Sequence, residues 1–428
     1  MTKAPDPKTG KRRKTARWGK GLRWRVKAVP GVRDRSFENR RGPGSAEEWL
    51  AKAQADTSRG QFYDPRAGEM TLREYVEGTW WPNLRKAPTT RQSMQPRIFK
   101  HILPHVGHLP LNQIGHDEVL RWRTAAEKNI DTSTLVVTWQ HFSSIMQAAH
   151  KAKRVPLNPF RDEDLKAPTV PKSKAKAWPQ ETVAAVRAAL DPRYRILVDL
   201  GVGAGLRQGE ALGFSPDDID GAEINVVRQI VRINSRLGFA PPKGNKERVA
   251  PCPPELARAV KEHANLFPTI EVTLPWVDPD RPNLAWEDRP RRTVRLLVTT
   301  PRSSGVSGGA INRVTFDEKQ WKPALARAGV IPAVETEYIQ RSGKKPYARR
   351  AWNMPREDGF HVTRHTFASI VLQAGETITQ LAAWLGHSDP AFTLRTYVHF
   401  MPKSGRMGLA ALGQWMSPGD AGSGAAGA

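Results

Sequence analysis

Two stretches near the C-terminus decide the reading: HVTRHTFAS at 361–369 and LGHSDPAFTLRTYVHF at 385–400. In the first, His361 and Arg364 stand three residues apart, so a helix would aim both at one group. In the second, Gly386 ends one helical segment. Ser388 or Asp389 as N-cap, with Pro390 just inside, starts the next. His387 falls at that junction, and Tyr397 follows it by ten positions on the new helix. His365 is adjacent to Arg364, hence on a different face, and reads as structural.

Working outward, two earlier stretches carry matching chemistry. GLRQGEALGF at 205–214 holds Arg207 and Glu210, and PPKGNKERVAP at 241–251 holds Lys243 and Lys246. Attack on a phosphodiester builds negative charge on the non-bridging oxygens. Two guanidinium groups can clamp those oxygens bidentately, and arginine stays charged at any working pH. Arg207 and Arg364 are the candidates. Glu210 shares a helical face with Arg207 and either holds that guanidinium or forms an ordinary surface pair with it. A tyrosine phenol has a pKa of about 10, so it needs an arginine pair and a base to become a nucleophile. The leaving oxygen needs a proton, and a lysine in a Pro-Lys-Gly-Asn turn is the candidate acid. A β-hairpin there would carry it to a substrate. Spacing alone does not separate Lys243 from Lys246.

The order and wording of these four stretches resemble the tyrosine recombinase family of phage-type integrases. That family shows Arg in a G-L-R-x-x-E context, a hairpin Lys, H-x-x-R-H-T, L-G-H, and a Tyr a short helix further on. The resemblance implies catalytic roles for Arg207, Lys243, His361, Arg364, His387 and Tyr397, with Glu210 in support. His361 would accept the nucleophile's proton or hydrogen-bond the phosphate, and His387 would hydrogen-bond the scissile phosphate. Tyr397 would form a 3′-phosphotyrosine and free a 5′-hydroxyl, with resealing needing no ATP. The resemblance favours Lys243 over Lys246. One departure is Thr363, where the family usually has Leu, and it bears on packing more than on chemistry. Double-stranded DNA attachment sites, a homotetramer on DNA, and an excisionase or host DNA-bending protein are the implied partners. A chromosome-dimer resolvase, a type IB topoisomerase and a catalytically silent DNA-binding regulator are the alternatives.

The rest of the chain divides into segments. Residues 1–16 read as a disordered basic arm. In 17–65, GLRWRVKAV and RDRSFENR alternate on either side of Pro30-Gly31, and SAEEWLAKAQADTSRGQ carries helix start and stop signals. This β-β-α unit resembles an arm-type DNA-binding module, with Arg23, Arg25, Lys27, Arg33 and Arg35 as the implied DNA contacts. Residues 70–160 read as all-helical, opening on a Thr71–Glu74 capping box, and resemble the family's core-binding domain. Leu135, Trp139, Phe142, Ile145, Met146 and Ala149 recur at helical spacing as core. Residues 161–178 read as a linker. The catalytic unit spans 179–403, with 334–358 read as a loop. The tail 404–428 is low-complexity, and its GLAALGQWM stretch is a candidate docking helix. The expected fold class is α+β, mainly helical and multidomain, with small antiparallel sheets in the catalytic unit.

Composition agrees. A formal net charge of +25 makes nucleic acid the natural partner. Residues 1–43 alone carry 15 Lys/Arg against 3 Asp/Glu, about half of that excess. No apolar run approaches the ~18 residues of a membrane span, and no secretory signal follows the basic N-terminus. With Cys252 as the one cysteine, neither an intramolecular disulfide nor a cysteine-based zinc site can form. An intracellular, DNA-associated protein fits. The histidines lack HExxH spacing, and no acidic triad or Walker loop is present, so no metal or other cofactor is expected. GVGAG at 201–205 reads as close helix packing.

Overall fold

In the computed structural model the described residues are 2–5, 12–14, 22, 24–26, 35–58, 65–170, 175–301, 308–341, 344–401 and, in the tail, 409, 412–413 and 415–416. The chain divides into two compact units, Met1–Arg85 with Arg91–Pro171, and Lys86–Thr90 with Lys172–Ala428. Among the described residues no helix is long and apolar enough to cross a membrane.

In the first unit, Trp24–Val26 pairs antiparallel with Arg35–Phe37. The helix Ala46–Ser58 follows, its first turn held by Glu48 N–H donating to Ser45 Oγ and by the Glu48 carboxylate accepting from Gly44 N–H. Phe37 is buried against Trp49. Thr2–Pro5 also pairs with Arg12–Lys14, within a stretch whose composition reads as disordered. Composition speaks for the absence of a core, but a two-stranded ladder is held by backbone bonds and needs none. The rest of the unit is helical, with main helices Pro88–His101, His116–Glu127 and Thr132–Lys151. Asp131 caps the last of these by accepting from Thr134 N–H. Its apolar stripe from Leu135 to Ala149 is buried, with Trp122, Trp139, Phe142 and Phe160 interlocked edge to face.

The two described ends of the stretch 161–178 are each more anchored than its composition suggests. At one end Leu165 is buried, and Asp162 pairs with His116 at 3.0 Å. At the other, Trp178 stacks on Trp321 and donates through Nε1 to the buried Asp358, which also pairs with Lys176. A single tryptophan supplies more burial than the surrounding lysines and prolines take away.

The second unit is built around the helix Arg195–Ala204, whose Ile196, Leu197, Val198, Leu200 and Ala204 are all buried. The helix His361–Gln373 packs across it at Gly201, where an added Cβ would lie 2.2 Å from Thr363 Oγ1. Among the described residues, this unit also has four small antiparallel sheets. Glu223–Val226 is the centre of a three-stranded sheet with Ile219–Asp220 and Arg248–Pro251. Gln229–Ile233 pairs with Arg236–Ala240, and Ile270–Pro275 with Arg291–Leu296. The fourth sheet corrects the loop expected at 334–358: Glu335–Arg341 and Lys344–Ala351 form an antiparallel ribbon. Its sequence, ETEYIQR and KKPYARRA, is too polar to show the alternation by which a strand is recognised.

Candidate active site

Four chain segments converge at the C-terminal end of the helix Ile378–Leu385. The last carbonyls of a helix lack intrahelical donors and carry partial negative charge. Here arginines satisfy them. Arg248 Nε donates to Trp384 O at 2.7 Å, Arg207 Nη2 to Leu385 O at 3.3 Å, and Arg364 Nη2 to the same Leu385 O. Arg364 also donates through Nη1 to Gly205 O at 2.7 Å. Gly386 then turns the chain at φ +64°. A Cβ there would sit 2.7 Å from Arg248 Cδ, so the glycine of L-G-H meets both a left-handed backbone and a crossing arginine.

One carboxylate organises the arginines. Glu210, 2% exposed, accepts from Arg207 N–H at 2.8 Å and Arg207 Nη1 at 2.9 Å, and takes a bidentate pair from Arg248 at 2.8 and 2.6 Å. Burial alone would raise its pKa. Arg248 and Arg207 outweigh that and hold it at about 2. Three guanidiniums against one carboxylate leave the cluster a formal +2. Arg364 is fully buried, and burial and the neighbouring guanidiniums push its pKa down. It still keeps its proton at neutral pH, because the guanidinium begins above 12. Its Nε has no acceptor among the described residues.

The imidazoles line the cluster. Arg364 Nη2 lies 3.3 Å from His387 Nε2, and His387 Nδ1 lies 2.7 Å from Thr393 Oγ1. With the guanidinium donating, Nε2 is the acceptor and Nδ1 carries the proton. Burial, then Arg364 and Arg207, push the His387 pKa down to about 4. His361 opens to solvent at the start of its helix, and the protein packed around it, then His365 and Arg364, push it down to about 3. Tyr397, at the end of the helix Pro390–Tyr397, is 1% exposed with its ring stacked near Phe400. Its hydroxyl lies 2.9 Å from His365 Nδ1. Burial raises the phenol's pKa, and Arg364 and Arg207 act in the lowering direction.

The lysine is placed differently. Lys243 and Lys246 are both exposed in the turn after Arg236–Ala240, and among the described residues neither is bonded to the cluster. The strands flanking that turn do not pair with each other, contrary to the expected hairpin. Arg236–Ala240 joins Gln229–Ile233, and Arg248–Pro251 joins Glu223–Val226. Pro241 and Pro242 have no N–H to extend a ladder between them. Of the arm residues, Arg25 lies on the strand Trp24–Val26 and is exposed. Arg35 lies over the Phe37 and Trp49 rings at 5.3 and 5.8 Å. Arg23, Lys27 and Arg33 fall outside the described residues.

No family model matches the chain. Curated relatives do. The integrase of Mycobacterium phage D29 is 24% identical over 374 residues, 84% of each chain. The tyrosine recombinase XerC-like protein of Caldanaerobacter subterraneus subsp. tengcongensis is 25% identical over 58% of this chain and 57% of its own. The tyrosine recombinase XerA of Thermococcus kodakarensis is 34% identical over 54% of this chain and 61% of its own. Among solved structures, the Tn1549 transposon integrase in complex with a circular intermediate DNA matches with a TM-score of 0.58. It covers 81% of this chain and 100% of that one at 15% identity. A lambda integrase dimer bound to a core site matches at 0.52, with 12% identity, over 79% and 97%.

The chain is similar in sequence to curated integrases and tyrosine recombinases, and it has the fold of these integrase structures.

Within this recombinase fold, two residues at the cluster escaped the sequence reading. Arg248 sits in the quoted KGNKERVAP but looks like one more charge in a basic turn, and nothing local shows that it reaches Glu210. His365 reads as structural in sequence because it neighbours Arg364. It nevertheless stands four residues after His361, the spacing of a shared face, and the two rings meet edge to face at 4.7 Å. That spacing was the available signal.

Proposed function

We propose that this chain is a site-specific DNA recombinase of the integrase type, cutting and rejoining double-stranded DNA through Tyr397. The observation that carries this is the arginine cluster beside a buried tyrosine: a formal +2 suits a phosphodiester. Arg207 and Arg364 bind the non-bridging oxygens, with Glu210 and Arg248 holding Arg207 in place. Tyr397 Oη bonds to phosphorus as the P–O5′ bond breaks. The phenol's proton passes to an imidazole, for which family resemblance names His361; by the same resemblance His387 hydrogen-bonds the phosphate, which requires its proton to move from Nδ1 to Nε2. The electron pair left on O5′ takes a proton from Lys243, which must reach the DNA from its exposed turn. Reversal of these steps with an exchanged 5′-hydroxyl reseals the strand without ATP. Integration and excision of a mobile element, a homotetramer on paired attachment sites, an excisionase or DNA-bending partner, and arm-site binding by 17–65 belong to the same reading. The names of the phage relatives support it.

The test is supercoiled plasmid in EDTA without ATP, wild type beside Tyr397→Phe. Relaxation by the wild type alone, with protein retained on DNA after denaturation, is expected. Equal relaxation by both would remove Tyr397 as the nucleophile.

A further inference from the structure

We propose that His365 is the positioning residue for the Tyr397 nucleophile, its Nδ1 accepting the phenol hydrogen bond and so setting where Oη points. This rests on Tyr397 being the nucleophile.

Tyr397 is 1% exposed, and a buried hydroxyl must find a partner. The partner is His365 Nδ1 at 2.9 Å, with the two rings 5.5 Å apart. One arrangement of protons gives the phenol hydrogen an acceptor here. The phenol donates and the neutral imidazole accepts, leaving the proton of His365 on Nε2. A protonated His365 would donate to Oη instead and leave the phenol hydrogen without an acceptor.

The surroundings keep His365 neutral. Charged or titratable groups face it from its own helix, His361 and Arg364, and from the tyrosine segment, Tyr397 and His399. Burial, then the positive charges of Arg364 and His399, lower its pKa. A weakly basic imidazole is a poor final home for a phenol's proton but a sound hydrogen-bond acceptor. His365 therefore orients Oη, and the proton leaves by another route once phosphate is bound. Because His365 follows Arg364 directly on a rigid helix, this bond ties the nucleophile to the arginine that holds the phosphate.

Two substitutions separate positioning from packing. Asparagine can place Oδ1 where Nδ1 stood, and alanine cannot. Formation of covalent protein–DNA complex on supercoiled plasmid is timed for wild type, His365→Ala and His365→Asn, with DNA binding measured in parallel. Equal binding is expected, with cleavage by His365→Ala slower by about a hundredfold, the cost of a misplaced reacting atom. His365→Asn should recover most of it. The full chain with 15N-labelled histidine gives a readout that needs no DNA. Tyr397→Phe should shift the His365 Nδ1 resonance, identified by its loss in His365→Asn. Wild-type cleavage by His365→Ala, an asparagine variant no better than alanine, or an unmoved resonance would each overturn the proposal. If the wild type itself forms no covalent complex, the recombinase reading fails and this inference goes with it.

Discussion

Replacing Arg248 by alanine tests how the site is held together. Glu210 and Arg248 have side chains 1% and 5% exposed, with two charge-assisted bonds between them. Arg248→Ala leaves the buried carboxylate with Arg207 alone and frees the Trp384 carbonyl. Removing one partner of a buried ion pair costs about 3–5 kcal/mol. The carboxylate's pKa gives a figure of the same order for Arg248 and Arg207 together. Held at about 2 against an ordinary 4.5, it is worth about 3 kcal/mol of folding free energy at neutral pH. For a unit of this size that is a fall in melting temperature on the order of 10 °C. Because the folded pKa is depressed, this stabilisation is complete above pH 4.5 and is lost as pH falls from there toward 2. The gap between wild type and variant should therefore be full at pH 7 and narrow at pH 3. Calorimetry on the full chain, following the transition of the second unit, measures both. A variant within about 1 kcal/mol of wild type at pH 7, or a gap that does not change with pH, would refute the pairing as the source of order. The refuting bounds are well inside the expected effect.

Two further outcomes follow from the geometry. Gly201→Ala puts a Cβ against the fully buried Thr363 and should cost about 1–3 kcal/mol. Thr363→Ala in the same chain should return part of it, and urea unfolding of the single and double variants would show this. His365 and His387, both held near 4 against 6.5 when unfolded, bind fewer protons in the folded state. They therefore withdraw stability as pH falls from 6.5 toward 4, and the pH slope of unfolding in that window should flatten in a His365→Asn, His387→Asn double variant.

Legibility varied with how local each feature is. The capping box at Thr71–Glu74, the buried stripe from Leu135 to Ala149, and the helix break at Gly386 with the restart at Asp389 are set within a few residues, and all were readable. The ribbon at 335–351 was not, because backbone pairing without an apolar face leaves no periodic trace. The linker reading missed Trp178, whose partners Trp321 and Asp358 lie far along the chain. The turn at Lys243 was legible as a turn, but the partners of its flanking strands were not.

The chemical inventory and its order are local in the chain: two arginines, a turn lysine, two histidines and a tyrosine, in motifs that resemble those of tyrosine recombinases. Those are properties of residue type and short-range helical geometry. What holds them in place depends on long-range packing. Arg248 crosses to Glu210, three guanidiniums gather on the carbonyls ending one helix, and His365 meets Tyr397 across 32 residues. Such contacts depend on how helices and sheets pack, and an arginine or histidine reads the same in sequence whether it faces water or closes a buried network.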